Sequence, residues 1–442
     1  MKELDTLGGI NMARITRWEP ENEQFWESEG KRHANRNLWI SIPALLLAFA
    51  VWQIWSVTAA SLNDIGFNFT NSQLFTLAAL PGLTGATFRI FYTFVVPIFG
   101  GKNWTIISTA SLLIPSIGIG IAVQNPETSF MTMAILAALC GFGGGNFASS
   151  MSNISFFYPK KAKGTALGLN AGIGNLGVSA VQFIAPLVVT VGIFGVVAGN
   201  PQVLPDGSHI WVQNAAFVWV IPIILTVIAA IFGMDNLPGT KASVKEQAVI
   251  FKKKHTWIMT WLYVMCFGSF IGYAAAFPLL IRTEFPEVNA LQFAFLGPLV
   301  GALIRPLGGW ISDKYGGAIV TFWDIVAMIA ATIGVIYFYN AGNFTGFLIM
   351  FMILFVTTGI ANGSTFRMIP FIFDNPKEAA AVLGWTSAIG AYGAFLIPKI
   401  FGWSIDTTGM ANMALYIFIA YYVVSLVINW YYYSRKNAEV KC

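Results

Sequence analysis

Charge is scarce in this sequence. Its 25 basic and 20 acidic side chains make up only 10% of 442 residues, where a soluble domain carries roughly one-quarter. That excludes an ordinary water-facing surface. Histidine and cysteine number three each: His33, His209 and His255 fall at edges or in loops, and Cys140, Cys266 and Cys442 show no pairing pattern. Neither a disulfide framework nor a metal centre nor a cofactor is expected, and the two cysteines within apolar segments read as packing residues in preference to a disulfide or metal site. Also missing is a short apolar run ending in a small-residue cleavage site near the start, so no signal peptide is expected. The polar stretch WEPENEQFWESEG (18–30) predicts instead a short surface helix.

What is abundant is apolar length. Hydrophobic residues make up 56% of the chain, and runs of about 20, long enough to cross a ~30 Å hydrocarbon core, recur throughout. Twelve spans are predicted, near 38–60, 73–98, 103–123, 129–157, 164–192, 213–234, 256–281, 289–311, 318–339, 344–373, 379–402 and 412–433. The fold class is an all-α polytopic membrane protein. The implied division is an N-terminal segment (1–37), six spans (38–234), a linker (235–255), six further spans (256–433) and a tail (434–442).

Basic residues orient it. Segments on the side of the termini hold Lys2, Arg14, Arg17, Lys31, Arg32, Arg36, Lys102, Lys160, Lys161, Lys163, Lys241, Lys245, Lys252, Lys253, Lys254, Lys314, Lys377, Arg435, Lys436 and Lys441. The opposite side holds Arg282, with Lys399 near that edge. The positive-inside rule then makes both termini cytoplasmic. This asymmetry accounts for the basic balance without nucleic acid. The run FKKKH before Trp257 reads as a cytoplasmic anchor, with anionic-lipid contact as the weaker option.

The two sets of six spans repeat one another. GATFR (85–89) returns as GALIR (301–305), an offset of 216, and each arginine stands eleven residues before a glycine pair, Gly100-Gly101 and Gly316-Gly317. Under that offset LGLNAGIGNLG (167–177) aligns with LGWTSAIGAYG (383–393), Asn146 with Asn362 and Gly143 with Gly359. Parallel repeats of this kind place a substrate site between the halves at the membrane midplane.

Arg89 and Arg305 belong at that depth. Eleven residues at 1.5 Å each set them about 16 Å from the glycine-marked boundary, too deep for a guanidinium to snorkel out. A structural ion pair would need a buried acid, and none of the acidic residues lies mid-span; Asp324, a turn or two into the ninth span, is nearest. Two permanent cations without a protein counter-ion point to an anion that comes and goes. Arg367, where the tenth span meets the cytoplasm, reads as an anchor.

The glycines have a misleading form. GIGNLG (172–177) spells G-x-G-x-x-G, but no strand precedes it and no acid follows at the right distance, so dinucleotide binding is excluded. The expectation is steric: Gly164, Gly168 and Gly172, with the GFGGGN stretch (141–146) around Gly144, would let the fourth and fifth spans approach closely, and Gly384 and Gly390 repeat the arrangement in the second half. Asn146, Asn170 and Asn175 lie among them, and a buried amide in lipid more often bonds another helix than a substrate.

GGWISDKYGG (308–317) resembles the loop between the eighth and ninth helices of the major facilitator superfamily. Its first-half counterpart departs from the pattern, with Pro97 where the acid should be. ALGLNAGIGNLGVS (166–179) and AAVLGWTSAIGAYGAFLIPK (380–399) resemble the two nitrate signatures of the NarK-type nitrate/nitrite porters, and RNLWISIPALLLAFAVW (36–52), FRIFYTFVVPIFGG and GGNFASSMSNISFF (144–157) extend the likeness over nearly the whole chain. The resemblance implies nitrate held between Arg89 and Arg305, aromatic walls at Phe49, Phe147, Tyr263 and Phe267, and polar contacts from Asn175 and Ser387. Ala171 stands where the family commonly has glycine, which would narrow a helix contact or the pathway.

Nitrate is planar with three equivalent oxygens and guanidinium is a planar donor fork, so bidentate pairing is available. Nitrite offers nearly the same edge. The expectation is therefore a monomeric alternating-access carrier in a bacterial inner membrane, in contact with lipid, exchanging nitrate for nitrite. Nitrate–proton symport is the alternative. A membrane-embedded enzyme lacks a general acid or base at the right depth, and an anion channel fits the repeat less well.

Overall fold

A computed structural model describes residues 15–238 and 248–442. Residues 1–14 and 239–247, with Lys2, Arg14, Lys241 and Lys245, lie outside the description. Among the described residues, twelve helices are long and apolar enough to cross a membrane. They are α1 (Glu23–Ser61), α2 (Asn71–Val96), α3 (Gly101–Ala122), α4 (Phe130–Phe157), α5 (Ala166–Val189), α6 (Asn214–Gly233), α7 (Lys254–Glu284), α8 (Ala290–Tyr315), α9 (Gly317–Asn340), α10 (Phe344–Ile372), α11 (Ala381–Thr408) and α12 (Asn412–Ser434). All twelve predicted spans are found. One difference is at the start: the expected separate surface helix runs without a break into the first span through a π-helical turn at Trp26–Gly30.

Local sequence sets the helix ends. Thr70 and Gln73 form a reciprocal capping box at the start of α2, and Asn343 caps α10. Gly100 and Gly316 stop α2 and α8 at φ +83° and +90°, conformations that a side chain with a Cβ rarely adopts. The paired glycines of the repeat thus end the corresponding helix in each half. Between α5 and α6 a short hairpin pairs β1 (Gln202–Val203) with β2 (His209–Ile210) on the face away from the termini.

On the termini-bearing face, Trp18 donates to the Phe156 carbonyl and Ala318 N–H donates to that of Cys442. There Asp235, just past α6, accepts hydrogen bonds from His33 (2.9 Å), Arg36 (2.7 Å) and Asn37 (3.0 Å), tying the end of α6 to α1. Burial raises this carboxyl's pKa, but the hydrogen bonds outweigh it and hold the group below the usual carboxylate range.

The two halves meet on the far side and part on the terminal side. Thr87 bonds the Tyr392 hydroxyl (2.8 Å), Gln182 donates to the Ala274 carbonyl (2.7 Å), Lys399 donates to Thr76 (2.8 Å), and Arg282 pairs with Asp64. All four of these contacts lie between the level of Arg89 and the far side. On the terminal side an apolar cleft of about 100 Å³ separates Ile90, Thr93 and Phe94 of α2 from Gly384, Trp385 and Ala388 of α11, with Ile250 and Phe251 of the linker beside it.

Candidate functional site

The site forms at the innermost contact between the halves, where α2, α4 and α11 meet α7 and α8. Arg89 on α2 is 0% exposed. Its Nε donates to the Gly144 carbonyl of α4 (3.0 Å) and its Nη1 to the Ser387 carbonyl of α11 (3.1 Å), while Nη2 is buried with no protein partner. Arg305 on α8 has Nε and Nη2 both buried and unpartnered. Neither guanidinium has a carboxylate partner among the described residues. Asp324 is buried on α9 with Oδ2 unpartnered, but it makes no ion pair with either arginine.

Aromatic rings supply what carboxylates do not. The Arg89 guanidinium carbon lies 4.9 Å from the centre of the Phe147 ring, 5.3 Å from Trp52 and 5.6 Å from Phe267. That of Arg305 lies 4.5 Å from Phe270 and 5.5 Å from the same Phe267. Ring faces are the negative poles of aromatic quadrupoles, so they hold a cation without neutralising it. Phe267 reaches both arginines from a π-helical turn, Val264–Gly268, that interrupts α7; such turns often re-aim side chains at functional sites.

The residues singled out from the sequence take unequal places. Phe147 and Phe267 contact the arginines, whereas Phe49 stands behind them, edge-on to Phe147 (6.1 Å) and Trp52 (5.6 Å). Tyr263 stacks on Phe267 (5.6 Å), lies flat on Phe366 (4.7 Å) and donates to Asn362 Oδ1 (3.4 Å). Ser387 contributes its carbonyl rather than its hydroxyl, which turns back to Gly384. Asn175 has its Nδ2 committed to the Ala171 carbonyl (2.7 Å), leaving a buried acceptor oxygen without a partner. Trp52, Phe270 and Asn362 escaped the sequence reading. Asn362 carried a signal, its repeat match to Asn146, but the two rings carried none among so many aromatics.

The glycine expectation needs correction. Gly144 does mark a close approach, but to α2: an added Cβ would fall 2.6 Å from the Gly85 Cα and as close as 2.7 Å to Trp52. Gly390 leaves room for the Tyr263 ring, 2.9 Å from such a Cβ. Gly168, Gly172 and Gly384 pack against nothing, since a Cβ on any of them would meet no atom within 4 Å. They lie on the terminal-side halves of α5 and α11, where the two six-helix units have separated. Gly174 and Gly177 do the packing on α5, against Leu45 and Phe49 of α1. The surroundings of Gly164 fall outside the description.

Comparison with known proteins places this geometry. The sequence pattern of the Major Facilitator Superfamily matches residues 42–398. The nitrate/nitrite transporter NarU of Salmonella typhimurium is 48% identical, the alignment covering 97% of this chain and 98% of that one. NarU of Escherichia coli is 46% identical over 96% and 97% of the two chains, and a probable nitrate/nitrite antiporter, NarK2 of Thermus thermophilus, 42% over 97% and 98%. Among solved structures, a D-xylose-proton symporter superposes with a TM-score of 0.70 at 17% identity, covering 90% of this chain and 97% of that one. A bacterial homologue of the lysosomal transporter Spinster, inward-facing and unoccupied, gives 0.67, also at 17% identity and over 90% and 97%. At that identity the two structures speak for the fold alone.

Proposed function

Because this chain belongs to the major facilitator superfamily and, within it, to the NarK-type nitrate/nitrite porters, we propose that it exchanges nitrate for nitrite by alternating access. The observation that carries this reading is the pair of guanidinium groups sharing Phe267, with three buried nitrogens unpartnered and, among the described residues, no carboxylate to neutralise them. A small planar anion supplies the acceptors, and aromatic walls suit a weakly hydrated one. The bodies that rock are residues 38–234 and 256–433, around a site that one chain completes, so the working unit is a monomer. The membrane is a bacterial inner membrane, with both termini cytoplasmic.

Exchange follows from electrostatics. An empty carrier must close over two bare cations, which costs several kcal/mol even with partial hydration. A bound anion relieves part of that, so the loaded carrier returns faster than the empty one. One-for-one exchange of equal charges also cancels the roughly 2.3 kcal/mol per 100 mV that inward movement of one anion would cost. Nitrate–proton symport has one observation behind it, the unpartnered Oδ2 of buried Asp324. Purified protein in liposomes separates the two. Exchange gives nitrate uptake that requires internal nitrite or nitrate and ignores an imposed pH gradient. Fast uptake into anion-free liposomes driven by external acid, and lost in Asp324→Asn, refutes exchange and establishes symport.

A further inference from the structure

Asn362 on α10 is 3% exposed, and its Nδ2 has no partner. The amide is held from the other end, where the Tyr263 hydroxyl donates to Oδ1. Tyr263 is itself fixed: its ring lies within 2° of parallel to Phe366 and stacks on Phe267, the ring common to both arginines. On the other side, a Cβ on the neighbouring Gly363 would fall 2.5 Å from the Arg305 carbonyl, so α10 packs closely at this point on the helix that carries Arg305. A buried amide donor left unspent is unfavourable unless something arrives to accept from it. The contrast with Asn175 is chemical: its donor is used and its free group is an oxygen, which repels an anion. Asn362 offers the opposite end.

We propose that Asn362 is the residue that tells nitrate from nitrite, its Nδ2 donating to the third oxygen that only nitrate has, with Tyr263 as the positioning residue that turns the amide that way. The two guanidinium forks can satisfy both oxygens of nitrite. Nitrate bound the same way keeps one oxygen outside the forks, and the unspent donor at Asn362 takes it. The proposal rests on the nitrate/nitrite reading above.

The test is binding of nitrate and of nitrite, measured separately by calorimetry on purified protein, with melting temperature recorded for each variant. Asn362→Leu keeps the branched heavy-atom shape and removes the donor, together with the acceptor of the Tyr263 hydroxyl. Nitrate affinity should fall by about tenfold or more, the worth of one hydrogen bond to a charged ligand, while nitrite affinity stays within about threefold. Tyr263→Phe should shift the ratio in the same direction by less, and the double variant should be no worse than Asn362→Leu alone. Equal losses for the two anions, or no loss, overturn the proposal while leaving the transport reading intact. Wild-type protein that binds neither anion overturns both. If Asn362→Leu does not fold, Tyr263→Phe decides alone, an unchanged nitrate-to-nitrite ratio being the refutation.

Discussion

Replacing each arginine by lysine should expose a difference between two residues that the repeat makes equivalent. Lysine keeps the charge and discards the planar fork. At Arg305, both Nε and Nη2 are unpartnered, so the fork is available to the anion and nothing in the protein depends on those two groups. Arg305→Lys should remove at least one directed bond to a charged ligand, about 1.5–3 kcal/mol, or a roughly ten- to hundredfold loss of nitrate affinity. Stability without the anion should hardly change. At Arg89, Nε and Nη1 are already engaged with Gly144 and Ser387. Arg89→Lys also strips one or both buried carbonyls of their donor, at about 1–3 kcal/mol each. It should therefore weaken binding and lower the melting temperature of the unliganded protein. The assay is calorimetric nitrate binding beside thermal unfolding in detergent, with and without nitrate. Retention of nitrate affinity within about threefold in both variants would show the arginines to be structural. An equal drop in melting temperature for both would refute the asymmetry.

Three further outcomes are expected. Gly144→Ala drives a methyl into the Gly85 backbone and should cost folding yield, whereas Gly168→Ala and Gly384→Ala should fold and bind nitrate normally yet transport more slowly, because the space they occupy closes only in the other state; normal transport by both refutes this. Asp235 is held below its ordinary pKa, so its stabilisation is present at neutral pH and is lost only as the pH falls through that lowered value. The melting temperatures of wild type and Asp235→Asn should therefore differ at pH 7 and converge in strong acid, a constant gap being the refutation. In a Cys442→Ser background, Gly207→Cys should react with an impermeant thiol reagent from outside intact cells and Lys436→Cys only after permeabilisation; the reverse pattern overturns the orientation.

Hydropathy made the twelve spans legible, and the constant offset made the two halves legible and paired Arg89 with Arg305. Both signals survive because the membrane constrains every residue in a span. The walls of the site were less legible. Trp52 and Phe270 cover the two arginines as counterparts, but they stand two residues off the offset that relates Arg89 to Arg305, so the repeat did not point to them. The π-helical turn in α7 has no sequence mark, since it depends on tertiary packing rather than propensity. Gly168, Gly172 and Gly384 misled for another reason: the packing expected of them is absent from the arrangement seen, and under the proposed alternating access it belongs to the other arrangement of the halves.

Phe267 has a consequence for how such a site can be tuned. Both positive charges look toward the electron cloud of this one neutral ring. The density of that cloud therefore acts as a single dial on two charges at once. Withdrawing electrons from the ring, as graded fluorination does with little change of shape, would leave both guanidinium groups less shielded and more demanding of an anion. A richer ring would make the empty carrier easier to tolerate. Affinity and the speed of the empty return would then move in opposition, coupled through a residue that carries no charge.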